Sequence, residues 1–532
     1  LDVTDRIIEP DSLVDVTEPA VEETPVDVTR YLAAATYLDE EFRNDVIVQT
    51  LYERYRFLGP SYGVDIGCVV RHAIASRGLS RRRDLILTAL IVVGVWALHL
   101  PLLFAVAVFV GGVLVASALT SPTTKWRWRI VLSVVAYIGI SAFALHPLSL
   151  LTAIAAVFVV ASDLYTRRYR VVARRMNSKD FEADAPAYGR ERPGQRAADA
   201  RRIAHLAGHR DGNIVVYSGY SPFRGSGVEA PKWSWSFSID VTKAADGPGE
   251  PGPVEPFEVT DLHDHVFEAM TNLKLKGKGL TVADRFYASG RHVIGWPELF
   301  FYPRQPRDPF PKLRYEIADV AALEDKPDEL VRPYIDIKFA IWQSELILSV
   351  FVRFTRVSDY LFVEGTYFVL PPLKGPYYAI NRLNRRPRPH ELFRLVLTSI
   401  ARTPVLWLEA PIKVAKWMAR PITRARREQQ VAQEIRENRK FDYGATGSVR
   451  ESGSDKDYAK FFQKMDIERD HKVIDRHLLT SIVRFLQGKG VDTAELEQSI
   501  RLIHNRGFWV GRNQTPAAPG DGEVRDPGRR VP

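Results

Sequence analysis

The sequence predicts an α-helical membrane protein with two helical hairpins, four short transmembrane helices in all, joined to a soluble α+β domain with a mainly antiparallel sheet and C-terminal helices. Three observations carry this reading. Residues 85–119 contain no Asp, Glu, Lys or Arg, and a second apolar stretch occupies 130–164. Three basic clusters bracket the stretches: Arg81, Arg82 and Arg83, then Lys125, Arg127 and Arg129, then Arg167, Arg168 and Arg170. Between 213 and 373, short strand-like apolar runs are separated by gaps rich in Pro and Gly, the pattern of strands and loops.

The chain has 532 residues, 46% of them hydrophobic, and a mean hydropathy of -0.15, so an apolar window is averaged against long polar flanks. That length accommodates two or three domains. Cys68 is the single cysteine, which excludes an intramolecular disulfide and a multi-cysteine zinc site and suits a reducing compartment. The net charge of +9 is unevenly distributed. Residues 1–29 hold nine acidic side chains and one Arg, whereas Arg and Lys crowd the apolar window and residues 382–440. Basic residues beside apolar segments attract an anionic inner leaflet at about 1 kcal/mol each. Anionic lipid is therefore the expected partner of these charges, and nucleic acid is not.

Residues 1–29 repeat Asp-Val-Thr at Asp2, Asp15 and Asp27 between Pro10, Pro19 and Pro25, and are read as a disordered acidic tail. Leu32, Leu38, Phe42, Val46 and Leu51 recur at helical spacing behind Thr29, predicting a cytoplasmic helical region over 30–83. The transmembrane region is 84–165. A single helix over 85–119 would be roughly 50 Å long against a hydrocarbon core of about 30 Å. Pro101 and Pro147 break the two stretches, giving spans at about 85–100, 102–119, 130–145 and 148–164. Four crossings keep all three basic clusters inside, and the alternative is two re-entrant hairpins that enter and return from the inner leaflet. The expected location is the cytoplasmic membrane, multi-pass, with the N- and C-terminal regions cytoplasmic, and His99 and His146 as turn residues at the outer interface.

A basic linker follows over 166–210. The cytoplasmic α+β domain is assigned to 211–375, with strands at IVVYSG, WSWSFSID, RFYASGR, DIKFAIW, LILSVFVRF and YLFVEGTYFVL and a helix near 260–274. Residues 389–440 are helical but interrupted by Pro404, Pro411 and Pro421. They mix apolar residues with Arg394, Arg402, Trp407, Lys413, Lys416, Trp417 and Arg420, the composition of a helix lying in a headgroup layer. A C-terminal helical pair occupies 455–505, and the Pro- and Gly-rich segment 511–532 is read as disordered.

Several motifs invite chemistry and fail on context. Gly225, Gly227 and Ala230 fit G-x-G-x-x-A, but a strand-like KWSWSFSID follows where a nucleotide fold needs a helix. Ser221 is no nucleophile elbow, because Phe223 stands where the second Gly belongs. His263 and His265, two apart on a helix, point to different faces and lack a third ligand. No catalytic residue, metal or cofactor is implied. Tyr217, Tyr220, Phe223 and Arg224 in YSGYSPFRGSG instead suit a partner-binding surface, being aromatic and Arg side chains on a Gly-bearing loop.

The segment GNIVVYSGYSPFRGSG at 212–227 resembles an uncharacterised group of actinobacterial multi-pass membrane proteins. FDYGA at 441–445, YAKFFQKMD at 458–466 and GVDTAEL at 490–496 are similar to the same group. The resemblance spans about 30–505 and implies location and architecture, with no assigned activity. The expected function is thus a membrane-anchored scaffold or sensor with a cytoplasmic domain that binds a protein partner. The alternative is a membrane-surface enzyme acting on a lipid or nucleotide, which no carboxylate pair, triad or ligand spacing supports.

Overall fold

The computed structural model describes residues 26–53, 55–97, 147–188, 202–206, 212–245, 254–273, 279–301, 312–315, 330–437 and 441–505. Helices α1 (Val26–Leu38) and α2 (Glu40–Ile47) open the described chain, the second capped by Asp39, whose carboxylate accepts from the Glu41 and Phe42 amides. Leu32, Phe42, Val46 and Ile47 close onto Val69, Val70 and Ala73 of α3 (Ile66–Ala97) and form an N-terminal helical core. Cys68 is buried beside it as a free thiol.

The four-crossing architecture is corrected here. The residues read as a first crossing are the end of α3, one 32-residue helix whose first half belongs to the N-terminal core. Arg83 does not flank a span in water, because its side chain is buried in ion pairs with Asp84 and Asp163. The last predicted span is helix α4 (Pro147–Tyr165), which carries Asp163 in its final turn and continues as a π-helical segment over Thr166–Ala173. Spans 102–119 and 130–145, with His99 and His146, lie outside the described residues. Among the described residues a single helical stretch, Pro389–Arg420, is long and apolar enough to cross a membrane, and it lies outside the predicted window 84–165 in the sequence. A multi-pass assignment built on four hairpin helices is therefore not supported.

The sheet is mixed and seven-stranded: β1 (Ile214–Tyr217), β2 (Val228–Glu229), β3 (Trp235–Asp240), β4 (Gly279–Ser289), β5 (Val331–Ile341), β6 (Leu346–Val357) and β7 (Tyr360–Leu370). Its order is β1-β4-β5-β6-β7-β2, with β3 also paired to β7. The β1–β4 pairing is parallel and all others are antiparallel. Alternation gives the sheet two different faces. Ile335, Ile337, Leu348, Val350 and Val363 pack against α5 (Val259–Thr271) and, beyond α6 (Pro389–Glu437) in the chain, against α7 (Phe461–Gly488). Asp475 of α7 is buried there and accepts from Trp235 Nε1 and the Tyr367 hydroxyl, each at 2.7 Å. Helix α8 (Ala494–Asn505) packs on α7.

Helix α6 runs continuously through Pro404, Pro411 and Pro421, where breaks are expected from sequence. Each Pro removes one backbone donor. Packing of one side of α6 along α3 and α4 outweighs that loss: Ala410, Leu406 and Trp407 meet Leu87, Ala156 and Val160.

Candidate functional site

Two features bring together residues of functional chemistry. The first is the packed trio α3, α4 and α6. On α6 the side chains of Leu395, Ser399, Thr403 and Ala410 are buried, and their spacing puts them on one side of the helix. Phe393, Leu397, Ile400, Leu408 and Ile412 recur on the opposite side and are exposed, Phe393 to 70%. Val92 and Val93 of α3 and Leu151, Ile154 and Phe158 of α4 are exposed as well. The trio is thus apolar outside as well as inside.

A buried ionic network closes one end of this trio. Asp163 accepts from Arg167 at 2.9 Å and from Arg83 at 3.3 Å, while Arg83 pairs with Asp84 at 2.7 Å. Arg167 also donates to Ser76 and Ser80, and Arg43 donates to Ser80 and Glu40. Lys413 of α6 reaches Glu40 at 3.9 Å, and Arg81 stacks over the Trp417 ring at 5.2 Å. Of the residues expected at a membrane surface, Arg394, Arg402, Lys416 and Arg420 are exposed. Trp407, Lys413 and Trp417 are half-buried against the trio. Asp163 escapes the sequence reading because it is one acid at the end of an apolar run; the four-residue spacing to Arg167 is the signal that was there to use.

The second feature is a junction of three loops beside β1. The Tyr217–Gly227 loop meets the Phe441–Gly447 strap that follows α6. Ser218 donates to Asp442 at 2.7 Å, the Ala445 amide donates to the Val216 carbonyl at 2.8 Å, and the Gly444 amide donates to Asp442 at 2.8 Å. Residues 57–61 pack on the same strap, through Phe57 to the Tyr443 carbonyl and Gly59 to the Gly447 carbonyl. A β-carbon on Gly225, whose φ is +89, would lie 2.1 Å from the Pro60 oxygen, so the approach requires glycine.

The four side chains read as a partner surface are separated by this packing. Phe223 is buried and stacked on Phe351 at 4.1 Å, covering the sheet's own core. Tyr220 stands 96% exposed. Tyr217 and Arg224 are half-buried, and Arg224 donates to the Ser218 carbonyl at 3.2 Å. Glu451 accepts from the Gly225 amide at 3.0 Å; burial holds its carboxyl above the ordinary range, with that amide and Arg224 partly offsetting the effect. Leu38, Glu40, Val228, Lys374, Glu451 and Lys456 help line an adjoining groove of about 1040 Å³.

Beside Phe351, the ring on which Phe223 stacks, lies a polar patch that the sequence did not reveal. Asp336 is fully buried and pairs with both Arg285 and Lys338, and the Lys338 ammonium sits 3.7 Å from the centre of the Tyr62 ring. Burial pushes the Lys338 ammonium down to about 7, although Asp336 opposes the shift. The signal was Asp and Lys two apart within the apolar run YIDIKFAI: such a strand reads as half-solvated, while here a second layer covers the polar face. His263 is held between Asp264 at 3.2 Å and Asp284 at 3.1 Å, and His265 lies against the Phe485 ring. Among the described residues no group of three or more His, Cys, Asp or Glu is arranged to hold a metal ion.

Residues 234–515, slightly more than half of the chain, match the family model of the AbeC-like domain. The chain belongs to the AbeC-like family. The AbeC-like domain starts just before β3 and includes β3 to β7, α5, α6, the strap, α7 and α8. Strand β1, the Tyr217–Gly227 loop, α3 and α4 come from the preceding part of the chain. No curated protein and no solved structure matches the chain.

Proposed function

We propose that the chain works at a membrane surface as a scaffold or sensor, with the outer side of the α3, α4 and α6 trio against lipid and the α+β part holding a protein partner. The observation that carries this reading is the exposed apolar face of α6. Leaving that much apolar surface in water is unfavourable by roughly 25 cal/mol per Å², and patches of this kind mark contact sites. Arg394, Arg402, Lys416 and Arg420 on the same helix favour anionic headgroups. Because charged residues recur along its length, Glu409 and Lys413 included, α6 suits a position along the headgroup layer rather than across hydrocarbon. The inner leaflet of the cell membrane fits this charge, and the resemblance of residues 212–227 to actinobacterial membrane proteins supports the same location. On the partner side, the exposed Tyr220 and the half-buried Arg224 offer a rigidly held anchor.

Vesicle flotation of the full chain tests the reading. Binding to phosphatidylglycerol vesicles, weaker binding to phosphatidylcholine vesicles, and loss of both in a Leu397→Ser, Ile400→Ser, Leu408→Ser variant with unchanged circular dichroism are expected. A full chain that floats with neither vesicle contradicts it.

A further inference from the structure

The first turn of α7 carries an aromatic and basic patch that neither α6 nor the loop junction uses. Phe461 and Phe462 are 72% and 68% exposed and touch each other edge to face. Lys456, Lys460 and Lys464 are exposed around them. The nearby Asp455 and Asp457 carboxylates accept from the Lys456 and Tyr458 amides.

This patch is held rigidly. Trp342, Gln343 and Ser344, at the β5–β6 turn, all have left-handed backbones with φ of 53, 60 and 58, a strained run for residues with side chains. Buried Arg450 fixes the run by donating to the Ser344 and Glu345 carbonyls at 3.3 and 3.0 Å. Gln463 of α7 donates to Glu345 at 3.0 Å, Trp342 Nε1 donates to Asp466 at 3.0 Å, and Lys460 lies 4.8 Å from the Trp342 ring centre. Two exposed Phe are therefore presented on a fixed base.

From this arrangement we infer that Lys456–Lys464 is a second lipid contact, in which Phe461 and Phe462 enter the headgroup layer of an anionic membrane and the three Lys bracket them. The inference rests on the proposed membrane reading and adds a contact from the α+β side. Lipid is favoured over protein because Lys is depleted from protein interface cores, whereas Phe beside Lys is the pairing that suits an anionic headgroup layer.

Environment-sensitive fluorophores on Phe462→Cys and Leu397→Cys variants of the full chain provide the test, since native Cys68 is buried. With phosphatidylglycerol vesicles both labels are expected to shift to the blue and to be quenched by lipids carrying shallow nitroxides. A Phe461→Ser, Phe462→Ser variant is expected to bind those vesicles about tenfold more weakly, a fraction of what full burial of two such side chains supplies. Quenching at 397 without quenching at 462 overturns this inference and leaves the α6 reading intact. Quenching at 462 alone overturns the α6 reading and keeps this one. A shift at 462 that follows protein concentration instead of vesicles identifies self-association and overturns the lipid contact.

Discussion

The Ser218 hydroxyl donates to the Asp442 carboxylate at 2.7 Å, joining two segments 224 residues apart in the chain. One segment leads out of β1 and the other follows α6, so the strap after the helix proposed to meet lipid is sewn to the edge of the sheet. The loop from the N-terminal helices lies on the same strap. In the proposed scaffold or sensor, this junction would hold the lipid-facing helix and the partner-facing loop in one frame.

Gly444 gives the first prediction. A β-carbon there would lie 2.1 Å from the Tyr217 carbonyl carbon and oxygen, both backbone atoms that cannot swing aside. Gly444→Ala is expected to cost about 2–4 kcal/mol by overpacking and backbone displacement. Gly225→Ala is expected to fall in the same range. Gly78 lies inside α3 with nothing near its missing β-carbon, and Gly78→Ala should stabilise by about 0.5–1 kcal/mol. Urea denaturation of the three variants checks the order.

Asp336 gives the second. Asp336→Ala leaves Arg285 and Lys338 buried without their shared carboxylate and is expected to cost about 3–5 kcal/mol. Removing the Lys338 charge as well, with Lys338→Met, should recover part of that loss in a double-mutant cycle. The pH dependence has a defined sign. Lys338 titrates near 7 in the folded chain and at about 10.4 unfolded, so its contribution is present above 10.4 and is lost as pH falls towards 7. Relative to Lys338→Met, the wild type should gain stability between pH 7 and pH 10, read from melting temperatures.

His263 behaves in the opposite sense. Burial alone would push its imidazole down, but the hydrogen bonds and charges of Asp284 and Asp264 outweigh burial and hold its pKa above the ordinary value. Its stabilisation is complete below the unfolded value of about 6.5 and fades as pH rises through the folded value. His263→Gln should therefore lose more stability at pH 5.5 than at pH 8.5. An equal loss at both values would mean the two carboxylates do not favour the charged ring.

The sheet was legible because WSFSID alternates and IVVY, LILSVFVRF and YLFVEGTYFVL are short runs rich in β-branched and aromatic residues, and both are local properties. What covers each face was not legible. Asp336 and Lys338 look solvated in sequence, whereas in the fold Tyr62, from a distant segment, lies over the Lys338 ammonium and Asp336 is buried. Phe223 looked like an interface anchor for the same reason, since an aromatic in a Gly-rich loop carries no mark of which way it packs. The apolar window was misread through Arg83 and Asp163: a charged residue at the end of an apolar run suggests an interface, whereas here the two find each other across 80 residues and pair inside. Pro404 and Pro411 likewise read as helix breaks, because their cost is local and the packing that offsets it is not.

The central claim, that α6 lies along a membrane with one side on α3 and α4, is tested most directly by scanning single fluorophore-labelled cysteines from Phe393 to Ile412 in the full chain bound to phosphatidylglycerol vesicles. The account predicts quenching by shallow lipid nitroxides that peaks at Phe393, Leu397, Ile400, Leu408 and Ile412 and falls at Leu395, Ser399, Thr403 and Ala410, at one depth throughout. Labels that are all water-exposed, or a depth that runs to the bilayer centre near Arg402 and returns, would contradict it.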